Sequence, residues 1–205
     1  MMKDRKENGK KSFRRELIEW GLILGIPLLL WLTGLHTEVL GRMQQVILWT
    51  GLIQPDIEVP AEQQEMAGFD MALVSMEGGR TTLDQYKGDV IFLNYWATWC
   101  PPCIAEMPSI QSLYDAYRND DRIHFLMVSL DEDREKARAF IRRKEFTFPV
   151  YYLASRRPKS LQSTVIPTTF VIDREGKIAT SRRGMASYDT ARFKRFLESL
   201  MAEDG

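Results

Sequence analysis

Both cysteines of this 205-residue chain fall within one five-residue stretch, Trp99-Cys100-Pro101-Pro102-Cys103, so all of its thiol chemistry sits at a single point. The stretch follows Val90-Ile91-Phe92-Leu93-Asn94-Tyr95-Trp96, a β-branched and aromatic run, bounded by Lys87-Gly88-Asp89 and short enough for a buried strand. Beyond it, Ile104, Met107, Ile110, Leu113, Tyr114 and Tyr117 recur at helical spacing. Pro101 or Pro102 can occupy the first turn of that helix, where no backbone N–H is needed. Cys100 therefore stands at a helix N-terminus, where unpaired N–H groups and the positive end of the dipole favour thiolate over thiol. Cys103, one turn inside, is placed to resolve a mixed disulfide.

A Cys-x-x-Cys pair between a strand and a helix is a device for exchanging disulfides, and it needs no cofactor beyond its own redox-active disulfide. A purely structural bridge is a poor alternative, because closing a two-residue loop gives little entropic stabilisation. A zinc site would need about four ligands. Beyond the cysteines there are only His36, at the end of the hydrophobic N-terminal segment, and His124, within an expected strand; neither has ligand spacing, and no metal is expected.

The N-terminus is organised differently from the rest. Residues 1–15 carry seven Lys or Arg against Asp4 and Glu7, and no residue from Trp20 to Thr37 is charged. Eighteen helical residues rise about 27 Å, against a hydrocarbon core of about 30 Å. The expectation is a basic cytoplasmic tail (1–16), a single-pass signal-anchor (17–37), an amphipathic helix and linker (38–65), and a globular domain (66–205). A cleaved signal peptide competes with the anchor, but no small-x-small site follows convincingly. Val39, Met43, Val46, Ile47, Thr50 and Ile53 share a helical face, whereas Glu38, Arg42, Gln44 and Gln45 make the segment too polar for an easy second span, so a surface helix is expected. The basic tail stays inside the cytoplasmic membrane, which places the cysteines on the periplasmic or extracytoplasmic side, where disulfides persist.

Residues 61–205 hold twenty basic and twenty-one acidic side chains, so no field attracts a polyanion and nucleic acid is not an expected partner. Met71–Met76 and Arg80–Leu83 suggest a hairpin, Ile123–Leu130 a second buried strand, and Asp133–Lys144 a helix with Ala137, Phe140 and Ile141 inward. Phe148–Tyr152 follows as a short strand, then a Thr168–Ile172/Ile178–Arg183 hairpin and a closing helix with Phe193, Phe196, Leu197, Leu200 and Met201 on one face. This alternation argues for an α/β fold with a central mixed sheet and helices on both faces.

Three motifs in order, Phe92-Leu93-Asn94-Tyr95-Trp96-Ala97-Thr98-Trp99-Cys100-Pro101-Pro102-Cys103, Glu106-Met107-Pro108 and Val165-Ile166-Pro167-Thr168-Thr169-Phe170-Val171-Ile172-Asp173, give a specific resemblance. The chain resembles the TlpA/ResA-type, membrane-anchored thioredoxin-like oxidoreductases over residues 66–205. The resemblance implies a thioredoxin-like fold, extracytoplasmic exchange with protein thiol or disulfide substrates, often reduction of apocytochrome c, and a membrane electron donor of the DsbD/CcdA type. It also implies that Pro167 is cis and faces the cysteines, so that the backbone at Ile166 can pair with an extended substrate. Trp99, Pro101, Pro102, Ile166 and Pro167 are then the candidate substrate-contacting residues.

Glu106 joins Cys100 and Cys103 as the third candidate catalytic residue. It follows Cys103 by three residues, on the same helical face, and the matching family glutamate is linked to proton transfer. Asn94 stands where thioredoxin carries a buried aspartate, and an amide cannot take up that proton. Taken alone, Glu106 would read as a solvated helix residue, and Pro167 as an ordinary trans proline opening a strand. Two other classes stand beside the oxidoreductase: a thiol peroxidase, which would need Thr three residues before its cysteine where this chain has Ala97, and a non-catalytic membrane-anchored adaptor.

Overall fold

The computed structural model describes residues 65–202, together with 16, 19–21, 23–26, 29 and 55. Seven strands form one mixed sheet: β1 (Ala72–Ser75), β2 (Arg80–Thr82), β3 (Val90–Trp96), β4 (Ile123–Ser129), β5 (Val150–Leu153), β6 (Thr168–Ile172) and β7 (Ile178–Arg183), in the order β2-β1-β5-β4-β3-β6-β7. Strands β3, β4 and β5 are parallel, while β1–β2, β1–β5, β3–β6 and β6–β7 are antiparallel. Three α-helices complete the domain: α1 (Pro101–Tyr117), α2 (Arg134–Lys144) and α3 (Ala191–Ala202).

All seven residues of β3 are buried, as expected of a central strand covered on both faces. Its even-numbered side chains Val90, Phe92 and Trp96 join Phe125, Met127 and Val171 in one cluster, and α1, α2 and α3 all bury their apolar residues there. The odd-numbered Ile91, Leu93 and Tyr95 join Leu126, Val128, Phe170 and Ile172 on the other face, which is covered by Ala67, Met71, Leu83 and Leu161. The expected helices on both faces are thus corrected: the second face is covered by the incoming chain and the 3-10 turns Leu83–Tyr86 and Lys159–Leu161. The reason is topological. The β3-α1-β4 and β4-α2-β5 connections step across the sheet in the same direction, and right-handed crossovers stepping the same way put their helices on the same face.

The expected β3 and α1 agree with the structure, β4 ends one residue early, and β5 lies two residues further along the chain than its expected start. Phe148 is buried in the core ahead of β5 rather than paired in it. Asp133 caps α2 by accepting from the N–H groups of Glu135 and Lys136, and Glu145 closes it in the left-handed conformation. Within α1, Met107, Ile110 and Leu113 are fully buried, each contributing about 1.5–3 kcal/mol of transfer free energy.

The expected tail 1–16 apart from Glu16, the surface helix 38–53 and much of the expected anchor 17–37 lie outside the described residues. Glu16, residues 19–21, 23–26 and 29 are helical, with Trp20, Ile23, Leu24, Ile26 and Leu29 exposed. Among the described residues no helix is long and apolar enough to cross a membrane.

Candidate active site

The site is built where β3 ends. Ala97–Trp99 carry the chain from β3 into α1, and Cys100 is the N-cap of that helix, with extended φ −106° and ψ 98°. Pro101 and Pro102 fill the first two helical positions and have no N–H to offer. The first amide able to donate is that of Cys103, and it donates to Cys100 Sγ at 3.3 Å. The two prolines therefore leave one backbone donor, and it points at the nucleophile. Cys100 and Cys103 are joined in a disulfide with Cα atoms 5.3 Å apart. Cys100 retains 5% exposure and Cys103 none, so an approaching sulfur meets Cys100 first. Trp99 beside it is 60% exposed.

The loop before Cys100 is held by a carboxylate from the next strand. Asp131, just beyond β4, accepts from Thr98 N–H at 3.0 Å, from the Thr98 hydroxyl at 2.6 Å and from the Ser129 hydroxyl at 2.9 Å. Strands β3 and β4 run parallel in register to Trp96↔Ser129, so the two chain ends emerge side by side and the clamp closes between them.

On the other side of β3 lies the second loop. The Ile166–Pro167 peptide bond is cis. Because Thr168 pairs with Tyr95, Pro167 sits level with the C-terminal end of β3, the end from which the cysteine loop springs. Ser163 and Thr168 staple this loop: both hydroxyls donate to the Val165 carbonyl, at 2.9 and 2.8 Å, and Gly184 N–H donates to the Pro167 carbonyl at 2.8 Å. Pro167 is buried, Ile166 is half-buried against both clusters, and Val165 is 47% exposed.

Beneath the cysteines is a buried polar chain. Glu106 has no exposed surface. Its Oε1 accepts from Asn94 Nδ2 at 2.8 Å, and its Oε2 accepts from Ala186 N–H at 3.2 Å. Burial pushes this carboxyl up from 4.5 to about 8, against the pull of those hydrogen bonds and of the Arg182 guanidinium. Asn94 Nδ2 also donates to Thr169 Oγ1 at 2.8 Å, across the antiparallel pair Asn94↔Thr169, and Tyr188 O–H donates to the same oxygen at 2.7 Å. Pro108 removes a donor inside α1. Ser109 next to it ties the helix to the loop before α3, donating to the Glu106 carbonyl and accepting from Tyr188 N–H.

The structure thus gathers Cys100, Cys103 and Glu106 on the first turns of α1, flanked by Trp99, Pro101 and Pro102, with Ile166 and Pro167 on the loop that enters β6. Glu106 is not the solvated helix residue its isolated position suggests, since β3 and the loop before α3 close over it. His124 is in β4, its ring against Tyr86 and its Nε2 2.9 Å from Asp89 Oδ2; His36 lies outside the described residues. No group of three or more metal-ligating side chains occurs among the described residues. Sequence reasoning missed Asp131, Thr169, Ala186 and Tyr188. A polar Thr opposite Asn94 in an otherwise apolar strand was the available signal for one of them; the others depend on chain crossings that carry no local mark.

A mixed sheet with a Cys-x-x-Cys at the N-terminus of the helix after its central strand, and a cis-proline opening the neighbouring strand, defines a thioredoxin-like dithiol–disulfide enzyme. Comparison with known proteins agrees. The chain belongs to the AhpC/TSA family, which matches residues 55–181. It is 34% identical over 134 residues to the thiol-disulfide oxidoreductase ResA of Geobacillus thermodenitrificans, covering 64% of this chain and 74% of that one. Among solved structures it resembles StoA from Bacillus subtilis, with 27% identity, a TM-score of 0.50 and coverage of 67% and 97%. A thiol:disulfide interchange protein from Chlorobium tepidum shares the fold, with a TM-score of 0.56, 23% identity and coverage of 67% and 98%. The chain is a thiol-disulfide oxidoreductase.

Proposed function

We propose that the chain is a membrane-tethered reductase of extracytoplasmic protein disulfides such as those of apocytochrome c, re-reduced by a membrane donor of the DsbD/CcdA type. The observation that carries this reading is the pairing of a surface-edge Cys100 with a fully buried Cys103, and of Cys103 with a buried carboxyl one helical turn on. Cys100 thiolate attacks a client sulfur, the client S–S bond breaks, and the departing client thiolate takes a proton. Cys103 then gives its proton to the ionised form of Glu106 and attacks Cys100 Sγ. The mixed disulfide breaks, the second client thiolate leaves and is protonated, and the Cys100–Cys103 disulfide remains. Two electrons pass from the chain to the client; Glu106 releases the proton it took from Cys103, solvent supplies the other proton the client thiols need, and the donor restores the two electrons.

Trp99 and Val165, the exposed apolar residues on the two loops, offer the client a contact surface, and the backbone at Ile166 offers it a strand edge. The anchor is supported by the uncharged run Trp20–Thr37 and by the exposed apolar side chains of its described helical residues. A peroxidase reading has less support, because Ala97 stands three residues before Cys100 and the Thr98 hydroxyl is committed to Asp131.

The test has two arms. The reduced chain is mixed with a disulfide peptide carrying Cys-x-x-Cys-His, and Trp96 and Trp99 fluorescence is followed by stopped flow; the peptide is reduced and the chain oxidised. Intact cells, mildly reduced, are then treated with a membrane-impermeant maleimide, which labels Cys100. Failure to reduce the peptide overturns the client class, and labelling only after lysis overturns the compartment.

A further inference from the structure

The buried chain Glu106–Asn94–Thr169–Tyr188 leaves one acceptor without a partner among the described residues. Both hydrogens of the Asn94 amide are used, one on Glu106 Oε1 and one on Thr169 Oγ1. Thr169 Oγ1 accepts from both sides, from Asn94 and from Tyr188. Asn94 Oδ1 is buried and has no partner among the described residues. Rotating the amide by half a turn about Cβ–Cγ exchanges Oδ1 and Nδ2. Oδ1 then lies at hydrogen-bond distance from Glu106 Oε1 and Thr169 Oγ1, both of which must donate. Thr169 has a hydroxyl hydrogen for this, and Glu106 has one once it is protonated.

We propose that the Asn94 amide turns over when Glu106 takes up a proton, and that Thr169 and Tyr188 are positioning residues which, through Asn94, set how firmly Glu106 holds it. In the protonated state Tyr188 donates to Thr169 and Thr169 to Asn94, head to tail, Glu106 donates to the same Asn94 oxygen, and the Nδ2 hydrogens turn to the place that Oδ1 leaves. Such chains strengthen cooperatively. In the ionised state Tyr188 and Asn94 both donate to the one Thr169 oxygen and weaken each other. The Tyr188 hydroxyl therefore favours protonated Glu106.

Tyr188 is itself neutral throughout, since burial and the facing Glu106 hold its ionisation well above 10. The other groups acting on Glu106 are Arg182 of β7 and the Ala186 N–H, which favour the carboxylate, and Cys103 on its own helix, which does not titrate while disulfide-bonded. This inference deepens the function proposed above and rests on Glu106 being the proton acceptor of Cys103.

The test uses the full-length, isotope-labelled chain in its disulfide form, so that no thiol titrates and no client is needed. The Glu106 Cδ shift reports protonation, and the nuclear Overhauser contact between the Asn94 Nδ2 hydrogens and the Thr169 methyl group reports amide orientation. The contact is expected above the Glu106 midpoint and lost below it. Glu106→Gln, which imitates the protonated acid, is expected to lack it at every pH. Persistence of the contact through the titration, or in Glu106→Gln, overturns the turnover.

Tyr188→Phe keeps the ring packed on Phe92 and Phe193 and is expected to weaken Glu106 proton affinity by about threefold, about half a pH unit. In a Thr169→Val background the same change is expected to do nothing, and in Thr169→Ser to keep its effect. Equal effects in all backgrounds would mean that Tyr188 acts by burial alone, which overturns the relay. Either arm decides even if the valine variant does not fold. Because both are read without turnover, loss of the relay and loss of client reduction are separate results.

Discussion

Replacing Glu106 by Gln is expected to stabilise the protein at alkaline pH and to flatten its pH dependence. The carboxyl is fully buried, and burial is the largest cause of its displacement from 4.5 to about 8. At about 1.4 kcal/mol per pH unit this rise amounts to about 5 kcal/mol. The folded state holds the proton more tightly than the unfolded chain, so the stability from neutral Glu106 is fully present below about 4.5 and is lost as pH rises through about 8. A loss of this size is a large fraction of the 5–15 kcal/mol by which a domain is ordinarily stable. In Glu106→Gln the side-chain carbonyl accepts from Ala186 N–H, and the amide donates to Asn94 Oδ1 once the Asn94 amide has turned. The variant therefore keeps the contacts without the charge.

The assay is urea unfolding of the disulfide form, followed by tryptophan fluorescence between pH 5 and 9. Wild type and variant are expected to be similar near pH 5 and to diverge to about 5 kcal/mol in favour of the variant above pH 8. A difference between the two proteins that stays constant across that range would refute the desolvation argument.

In the reduced chain, brief iodoacetamide treatment near neutral pH is expected to label Cys100, at the helix N-terminus and surface edge, and to spare the fully buried Cys103; mass spectrometry distinguishes them, and preferential labelling of Cys103 would reverse their roles. Asp131→Ala removes the two hydrogen bonds from Thr98 that hold the loop before Cys100, and a third from Ser129. It is expected to lower unfolding free energy by about 1–3 kcal/mol and to slow peptide-disulfide reduction; unchanged kinetics would show that the loop is placed by packing alone.

What the sequence determined by itself is the part governed by local chemistry. The apolar run Val90–Trp96, the prolines at the start of α1 and the helical spacing from Ile104 to Tyr117 settle a strand, a turn and a helix with Cys100 at its cap, because each depends on neighbours within about one turn or one strand. The tertiary structure decided the proton chemistry. A lone Glu three residues after a cysteine reads as solvated, and it is buried only because β3 supplies Asn94 and the loop before α3 supplies Ala186, 80 residues away. The Thr98–Asp131 clamp exists because two parallel strands end at the same level, and α1 and α2 share one face because both crossovers turn the same way. Burial and desolvation are properties of the space a residue occupies rather than of its neighbours in the chain, so the proton affinity of Glu106 and the polarity of the hydrogen bonds around it are set only when those distant segments close over it.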